Sequence, residues 1–102
     1  MIEPSRAGTG SDADCLEASA MFPNKAGLHA RSAALLIKAT SRYQATVTLD
    51  LDGRTARTSS LMELLKLGAR KGHVVRVRAS GQDAATALKE VTSMIESGFN
   101  EE

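Results

Sequence analysis

The chain has 102 residues, enough for one small domain, and 42% of them are hydrophobic, as in ordinary soluble folds. Its 13 basic and 12 acidic residues give a net charge of +1, and only 3% are aromatic, which argues against a nucleic-acid binder that depends on bulk charge and base stacking. Cys15 is the one cysteine, so an intrachain disulfide is excluded and a metal cluster is not expected.

Residues 1–14, M-I-E-P-S-R-A-G-T-G-S-D-A-D, contain little that a core could bury. We expect them to form a flexible leader outside a folded domain that spans residues 15–102. Neither the leader nor any later stretch has the pattern of a signal peptide, and no stretch approaches the apolar length of a membrane span. We therefore expect a cytoplasmic protein without a membrane partner.

Hydrophobic periodicity predicts the elements that follow the leader. Alternating apolar residues predict three strands, over 16–22, 45–51 and 73–79. Apolar residues at helical spacing predict three helices, over 30–41, 60–67 and 84–99. A further strand over 54–57 is expected to pair back on the strand before it, because Asp52–Gly53 between them is a strong hairpin signal.

The predicted order of elements is β-α-β-β-α-β-α. Each strand has one apolar and one polar face, so all the helices should cover a single side of a four-stranded antiparallel sheet. This is an α+β fold, an open-faced β-sandwich. Gly68 is placed to end the second helix, Asp83 is placed to cap the third, and His73 is expected to face solvent at the edge of the last strand.

The stretch N-K-A-G-L-H-A-R-S, residues 24–32, places a histidine where the first helix is predicted to begin. The backbone N–H groups of Ala30, Arg31 and Ser32 then have no partner within the helix, and the helix dipole adds partial positive charge. Such a terminus binds phosphate, and it keeps the ring of His29 neutral, with a lone pair on one ring nitrogen.

The neighbours of His29 favour a phosphoryl acceptor. Arg31 supplies planar, permanently charged donors that match phosphoryl oxygens. Asn24 and Gly27 belong to the preceding loop, which Gly27 allows to turn tightly. No Asp or Glu lies near His29 in sequence to activate water, as a hydrolase would need and a phosphohistidine carrier would not. The residues alone leave a second interpretation open, in which His29 is only a structural cap.

The second predicted helix begins at S-S-L-M-E, where Ser60 and Glu63 have the spacing of a capping box. Two turns of helix cannot bury all of its apolar side chains, so Leu61, Met62 and Leu65 should form an exposed patch of the kind that partners bind. Ser60 is either a simple cap or a site where phosphorylation is tolerated, since the added charge would meet the positive end of the helix dipole. The charge of Glu63 would oppose that phosphate.

The motifs G-L-H-A-R at 27–31 and S-S-L-M-E-L-L-K-L-G at 59–68, in this order of elements, resemble the HPr family of phosphocarrier proteins of the phosphoenolpyruvate-dependent phosphotransferase system. The resemblance extends over residues 16–100. Two further stretches, N-K-A-G-L-H and the final S-G-F-N-E-E, are more similar to the nitrogen-related branch, NPr, than to the sugar-transport branch.

The resemblance implies roles for two residues of the first motif. His29 would take a phosphoryl group on Nδ1 from a phosphorylated enzyme I-type protein and pass it to a histidine of an enzyme IIA-type protein. Arg31 matches the family's arginine that stabilises the phosphate, and the backbone N–H groups of Ala30 and Ser32 at the helix start should assist it. Such a protein is a substrate of its partners, not an enzyme that turns over alone, and it needs no cofactor or metal.

The resemblance also implies a regulatory and a docking role for the second motif. Ser60 matches the serine that a dedicated ATP-dependent kinase, an HPr kinase/phosphorylase, modifies in many members. The docking surface would include Leu61, Met62, Leu65 and Lys66. A protein that docks in this way is expected to be a monomer.

One residue departs from the family pattern. The family usually has H-A-R-P, and this chain has Ser32 in place of the proline. Proline fixes φ in the first turn, so a serine should make the loop slightly less rigid. It also restores a backbone N–H and adds a hydroxyl. Our hypothesis is that Ser32 gives the phosphate an additional donor and lengthens the life of the phosphohistidine, and neutral change at a tolerant position is the alternative.

The main alternative function is an HPr-like regulatory module that binds effector proteins without relaying phosphate. Family members of that kind usually lack the histidine, so the presence of His29 favours the carrier. A small RNA-binding domain is disfavoured by the balanced charge and the few aromatic residues.

Overall fold

The computed structural model describes residues 15–100, and the predicted leader lies outside the described residues. The strands are β1 Leu16–Met21, β2 Ala45–Leu51, β3 Arg54–Arg57 and β4 Val74–Gly81. The helices are α1 Ala30–Thr40, α2 Leu61–Leu67 and α3 Ala84–Glu96, followed by a short turn of 3₁₀ type over Gly98–Asn100. The predicted β-α-β-β-α-β-α order is confirmed, and β4 begins one residue later and ends two residues later than predicted.

The four strands form one antiparallel sheet in the order β1-β4-β2-β3. Cross-strand partners put apolar residues on the same face of neighbouring strands, as in Ala20 opposite Val75 and Val77 opposite Leu49. That face is buried under the helices, and the residues between these positions are exposed or partly exposed. The open-faced sandwich predicted from alternation is therefore confirmed.

The hairpin between β2 and β3 forms at the predicted dipeptide. Asp52 and Gly53 have φ values of 53° and 80°, so both central residues are left-handed, as in a type I′ turn. This turn matches the twist of the paired strands and sets the register in which Leu51 lies opposite Arg54.

The core is almost entirely aliphatic, as the low aromatic content requires. Seven of its large aliphatic side chains have an exposed fraction of 0%: Leu36, Leu49, Leu64, Val75, Val77, Val91 and Ile95. Both phenylalanines join it, with the rings of Phe22 and Phe99 6.1 Å apart between centroids. Because Phe22 begins the loop that leads to His29, this pair anchors that loop to the core.

Two details of α3 differ from the predictions. Asp83 occupies the N-cap position, but its side chain makes no capping hydrogen bond and instead accepts the backbone N–H of Gln44 at 2.8 Å. The helix ends at Glu96 rather than Phe99, because Gly98 adopts a left-handed φ of 65° that ends helices. Phe99 also has a positive φ, 57°, and is still buried.

Candidate functional site

The loop between β1 and α1 is closed by a turn within N-K-A-G. Gly27 donates its backbone N–H to the carbonyl of Asn24 at 3.1 Å, and the side-chain amide of Asn24 donates to the carbonyl of Gly27 at 2.9 Å. Asn24 is 2% exposed, so its amide is buried and its hydrogen bond holds the turn closed. The loop that ends at His29 therefore has a defined shape.

Gly27 also lies directly against the segment that follows α2. A Cβ added to it would be 2.5 Å from the carbonyl oxygen of Ala69 and 2.7 Å from Cα of Arg70, and its φ is 62°. The next residue, Leu28, donates its N–H to the same Ala69 oxygen at 3.0 Å. This close approach, which only glycine permits, fixes the position of the loop on the body of the protein.

His29 is the N-cap residue of α1, and its ring is turned onto the start of the helix. Nδ1 accepts the backbone N–H of Arg31 at 3.3 Å, and the ring also accepts from the N–H of Ser32. Because Nδ1 is an acceptor, the neutral ring carries its proton on Nε2. The predicted geometry, an imidazole over amide donors at a helix N-terminus, is present, and His29 remains half-buried rather than sealed in the core.

Ser32 completes a reciprocal cap with His29. Its hydroxyl oxygen accepts the backbone N–H of His29 at 2.9 Å, and the hydroxyl lies 3.3 Å from the carbonyl of Gly27 and 3.2 Å from that of His29. Ser32 has an exposed fraction of 0%. The hydroxyl is thus engaged within the loop, while the backbone N–H is directed at the imidazole.

The first two residues of α1, Ala30 and Arg31, are exposed. Their side chains project from the first turn of the helix, beside the half-buried ring of His29. An exposed guanidinium here can approach an anion on the imidazole without first losing a buried partner.

The exposed surface of α2 agrees with the predicted apolar patch. Leu61, Met62 and Leu65 are 43%, 61% and 39% exposed, whereas Leu64 and Leu67 are buried. Lys66 is exposed on the same short helix. α1 packs against α2 and contributes a further exposed apolar residue, Leu35, that the sequence pattern did not single out.

A family model described as the PTS HPr component phosphorylation site matches residues 16–97. The chain belongs to the HPr family of phosphocarrier proteins. The phosphocarrier protein HPr of Xylella fastidiosa (strain 9a5c) is 39% identical over 87 residues, which are 85% of this chain and 98% of that protein. The phosphocarrier protein NPr of Proteus mirabilis (strain HI4320) is 35% identical over 80 residues, 78% and 89% of the two chains.

The fold agrees with that of solved HPr structures. The crystal structure of HPr-C-His from Thermoanaerobacter tengcongensis superposes with a TM-score of 0.79 at 36% sequence identity, covering 84% of this chain and 97% of that one. Relatives named HPr and NPr both match, so the assignment to the nitrogen-related branch stays a prediction.

Ser60 caps α2 in this HPr-family chain, but only half of the predicted capping box forms. Its hydroxyl accepts the backbone N–H of Glu63 at 3.2 Å. The carboxylate of Glu63 does not accept the backbone N–H of Ser60, as a full capping box would require. It accepts the backbone N–H of Arg57 at 2.9 Å and bonds the guanidinium of Arg57 at 2.5 Å. Arg57 of β3 is therefore the donor to this carboxylate in place of Ser60, and local spacing does not reveal that partner.

The Arg57–Glu63 pair gives the fold a testable dependence on pH. Hydrogen bonds from Arg57 hold the pKa of Glu63 at about 2, below its ordinary 4.5. A carboxyl whose pKa is depressed by folding stabilises the protein above its unfolded pKa, and this contribution is lost as pH falls from 4.5 towards 2. Glu63→Gln should therefore lower the free energy of unfolding at neutral pH. The difference in this free energy between wild type and the variant should shrink as pH falls from 4.5 towards 2.

Urea denaturation across this pH range measures the effect. In an Arg57→Gln background, the substitution at Glu63 should have a smaller consequence, because the guanidinium is absent and only the backbone N–H of residue 57 remains as a donor. A gap between wild type and Glu63→Gln that is constant with pH would contradict the linkage.

The second histidine of the chain, predicted to face solvent at the edge of the last strand, is only partly exposed. His73 precedes β4, is half-buried, and accepts the backbone N–H of Arg70 on Nδ1 at 2.9 Å. Within residues 15–100, no group of three or more His, Cys, Asp or Glu side chains is placed to hold a metal ion. In the same part of the chain, no helix is long and apolar enough to span a membrane.

Proposed function

We propose that the chain is a histidine phosphocarrier in which His29 accepts a phosphoryl group from an enzyme I-type donor and passes it to an enzyme IIA-type acceptor. The observation that carries this proposal is the orientation of Nδ1 towards the amides of Arg31 and Ser32. The chain then acts as a substrate of both partners and holds the phosphoryl group between two transfers, without a cofactor.

The chemistry follows from the protonation state of the ring. Nδ1 carries the lone pair, so it attacks phosphorus while the bond between phosphorus and the donor's nitrogen breaks. The long 3.3 Å bond to Arg31 is easily given up as the imidazole turns towards the donor. The phosphoryl oxygens then accept from the amides that the ring has released, at the positive end of α1, and the guanidinium of Arg31 adds charge-assisted donors.

The proposed contribution of Ser32 is its backbone N–H. Because the hydroxyl is engaged with His29 and Gly27, the amide is the group that can turn to a phosphate. Ser32→Pro removes this donor while keeping the helix start. The loss of one charge-assisted hydrogen bond, about 1.5–3 kcal/mol, corresponds to about tenfold to 150-fold faster hydrolysis of the phosphohistidine. Ser32→Ala retains the amide and is the matched control.

Hydrolysis is followed by mass spectrometry after the phosphorylated chain has been separated from its donor. If the phosphohistidine of Ser32→Pro is hydrolysed as slowly as that of wild type, or more slowly, the backbone N–H of Ser32 does not stabilise the phosphate.

Docking is proposed on the α2 patch of Leu61, Met62 and Leu65, with Lys66 beside it. Their exposure leaves apolar surface that a partner can bury, and a methionine adapts to partners of different shape. The patch belongs to the helix that precedes Ala69, the residue on which the His29 loop rests. A partner that covers it can therefore reach the imidazole as well. We propose that the chain docks as a monomer in the cytoplasm.

Regulation is proposed through phosphorylation of Ser60 by a kinase of the HPr kinase/phosphorylase type. Ser60 is half-buried at the N-cap of α2. Repulsion between Glu63 and this phosphate is reduced, because the carboxylate of Glu63 is paired with Arg57. A phosphate there would lie at the edge of the docking patch and repel acidic partners.

Incubation with enzyme I and phosphoenolpyruvate, followed by intact-mass measurement and site mapping, tests the proposed function. One added phosphoryl group, labile in acid and stable in base, is expected on His29. Transfer of that group to an added IIA-type protein tests the second half of the relay. A chain that takes up no phosphate under conditions where an HPr control is phosphorylated would rule out the carrier.

A further inference from the structure

His73 closes the turn R-K-G-H, residues 70–73, with two hydrogen bonds to Arg70. His73 donates its backbone N–H to the carbonyl of Arg70 at 2.9 Å, and Gly72 has a φ of 90°, as the third position of a type II turn requires. In addition, Nδ1 of His73 accepts the backbone N–H of Arg70 at 2.9 Å. The side chain thus fixes the beginning of the turn, and its backbone fixes the end.

This turn is attached to the start of the loop that carries His29. Phe22 donates its N–H to the carbonyl of His73 at 3.0 Å, and Gly72 donates its N–H to the carbonyl of Phe22 at 2.7 Å. Phe22 itself has an exposed fraction of 0%, so this end of the loop is held by the core.

The other end of the loop rests on a single peptide group, the one between Ala69 and Arg70. Its carbonyl accepts the N–H of Leu28, the residue before His29, and Gly27 packs against the same group. Its N–H is the one that His73 accepts. Because a trans peptide is planar, its N–H and its carbonyl point in opposite directions and turn together. The imidazole of His73 therefore sets the direction of the carbonyl that holds Leu28.

We propose that His73 is a positioning residue for phosphoryl transfer at His29, acting through the Ala69–Arg70 peptide and Leu28. This role rests on the proposed carrier function. His73 does not contact the phosphoryl group. It holds the acceptor for Leu28, and the backbone of Leu28 in turn places the N-cap residue whose ring reacts.

Two variants of His73 separate the acceptor atom from the bulk of the side chain. The Oδ1 atom of an asparagine lies where Nδ1 of the histidine lies, so His73→Asn should keep the bond to Arg70. A glutamine places its carbonyl oxygen nearer the position of Nε2, so His73→Gln should lose the bond while remaining polar and of similar size. Both residues are neutral, so electrostatic effects on the donor protein are matched.

The first readout is amide hydrogen exchange of Leu28, which needs no donor protein. The second is the rate of phosphorylation by enzyme I at a temperature where all variants are folded. The loss of one ordinary hydrogen bond should lower both the protection of Leu28 and the transfer rate about threefold to tenfold in His73→Gln. His73→Asn should remain close to wild type in both measurements.

Three results would overturn the role of His73. In the first, His73→Gln keeps wild-type protection and rate. In the second, His73→Asn is as impaired as His73→Gln, so the acceptor atom is irrelevant. In the third, protection of Leu28 falls while the transfer rate is unchanged. A wild-type chain that takes up no phosphate is a different result, since it removes the carrier function and the role of His73 together.

Discussion

Alanine in place of His29 is expected to abolish phosphoryl uptake from phosphorylated enzyme I. The imidazole supplies the nucleophile of the site, because Nδ1 faces the N–H groups of Arg31 and Ser32, which can then bind the transferred phosphoryl group. No other side chain in that loop offers a comparable nucleophile, and Ser32 is buried. Intact mass after incubation with enzyme I and phosphoenolpyruvate should show one phosphoryl group on wild type and none on the variant.

His73→Asn is the matched control, since it removes the other histidine and keeps the bond that His73 makes to Arg70. It should still take up one phosphoryl group. Uptake by His29→Ala at the wild-type level would place the acceptor elsewhere. A wild-type chain that binds IIA-type or other effector proteins through α2 but never takes up phosphate would instead identify the regulatory module.

The site around His29 could be predicted from sequence because its contacts are local. The donors to the imidazole lie two and three residues after it, so the start of a helix is enough to bring them together. The strands were predictable for a similar reason. Each has one buried and one exposed face, and alternation along the chain records this directly.

The wrong predictions about the caps at Asp83 and Glu63 share a different cause, which is competition from a partner on another element that local spacing does not reveal. Asp83 has the spacing of a cap, yet the fold brings the N–H of Gln44 to its carboxylate. Glu63 has the spacing of a reciprocal capping box, yet β3 brings Arg57 to it. Local patterns indicate which groups seek partners, and the tertiary fold decides which partner each one finds.

Gly27→Ala is expected to impair both folding and phosphoryl transfer more than the same change at any other glycine within residues 15–100. A left-handed φ of 62° already disfavours a Cβ, and that Cβ would lie 2.5 Å from the carbonyl oxygen of Ala69. The combined cost is about 2–5 kcal/mol in the free energy of unfolding, from backbone strain and forced displacement of a packed neighbour.

The displaced loop also carries the reacting residue. Because Leu28 bonds the same Ala69 carbonyl, relief of the clash moves the backbone that leads into His29. A shift on the order of 1 Å in a reacting group lowers transfer rates about 100-fold, so the rate from enzyme I should fall by that order at a temperature where the variant is folded.

Gly53→Ala is a control that introduces backbone strain without a steric clash. Gly53 has a positive φ of 80°, but a Cβ there would meet nothing within 4 Å. Its stability cost should therefore be limited to about 1–2 kcal/mol of backbone strain, with an unchanged transfer rate. Urea denaturation and phosphorylation kinetics on both variants measure the difference. Equal losses in the two variants would mean that the contact with Ala69 does not position the loop, and that His29 owes its orientation to the cap at the start of α1 alone.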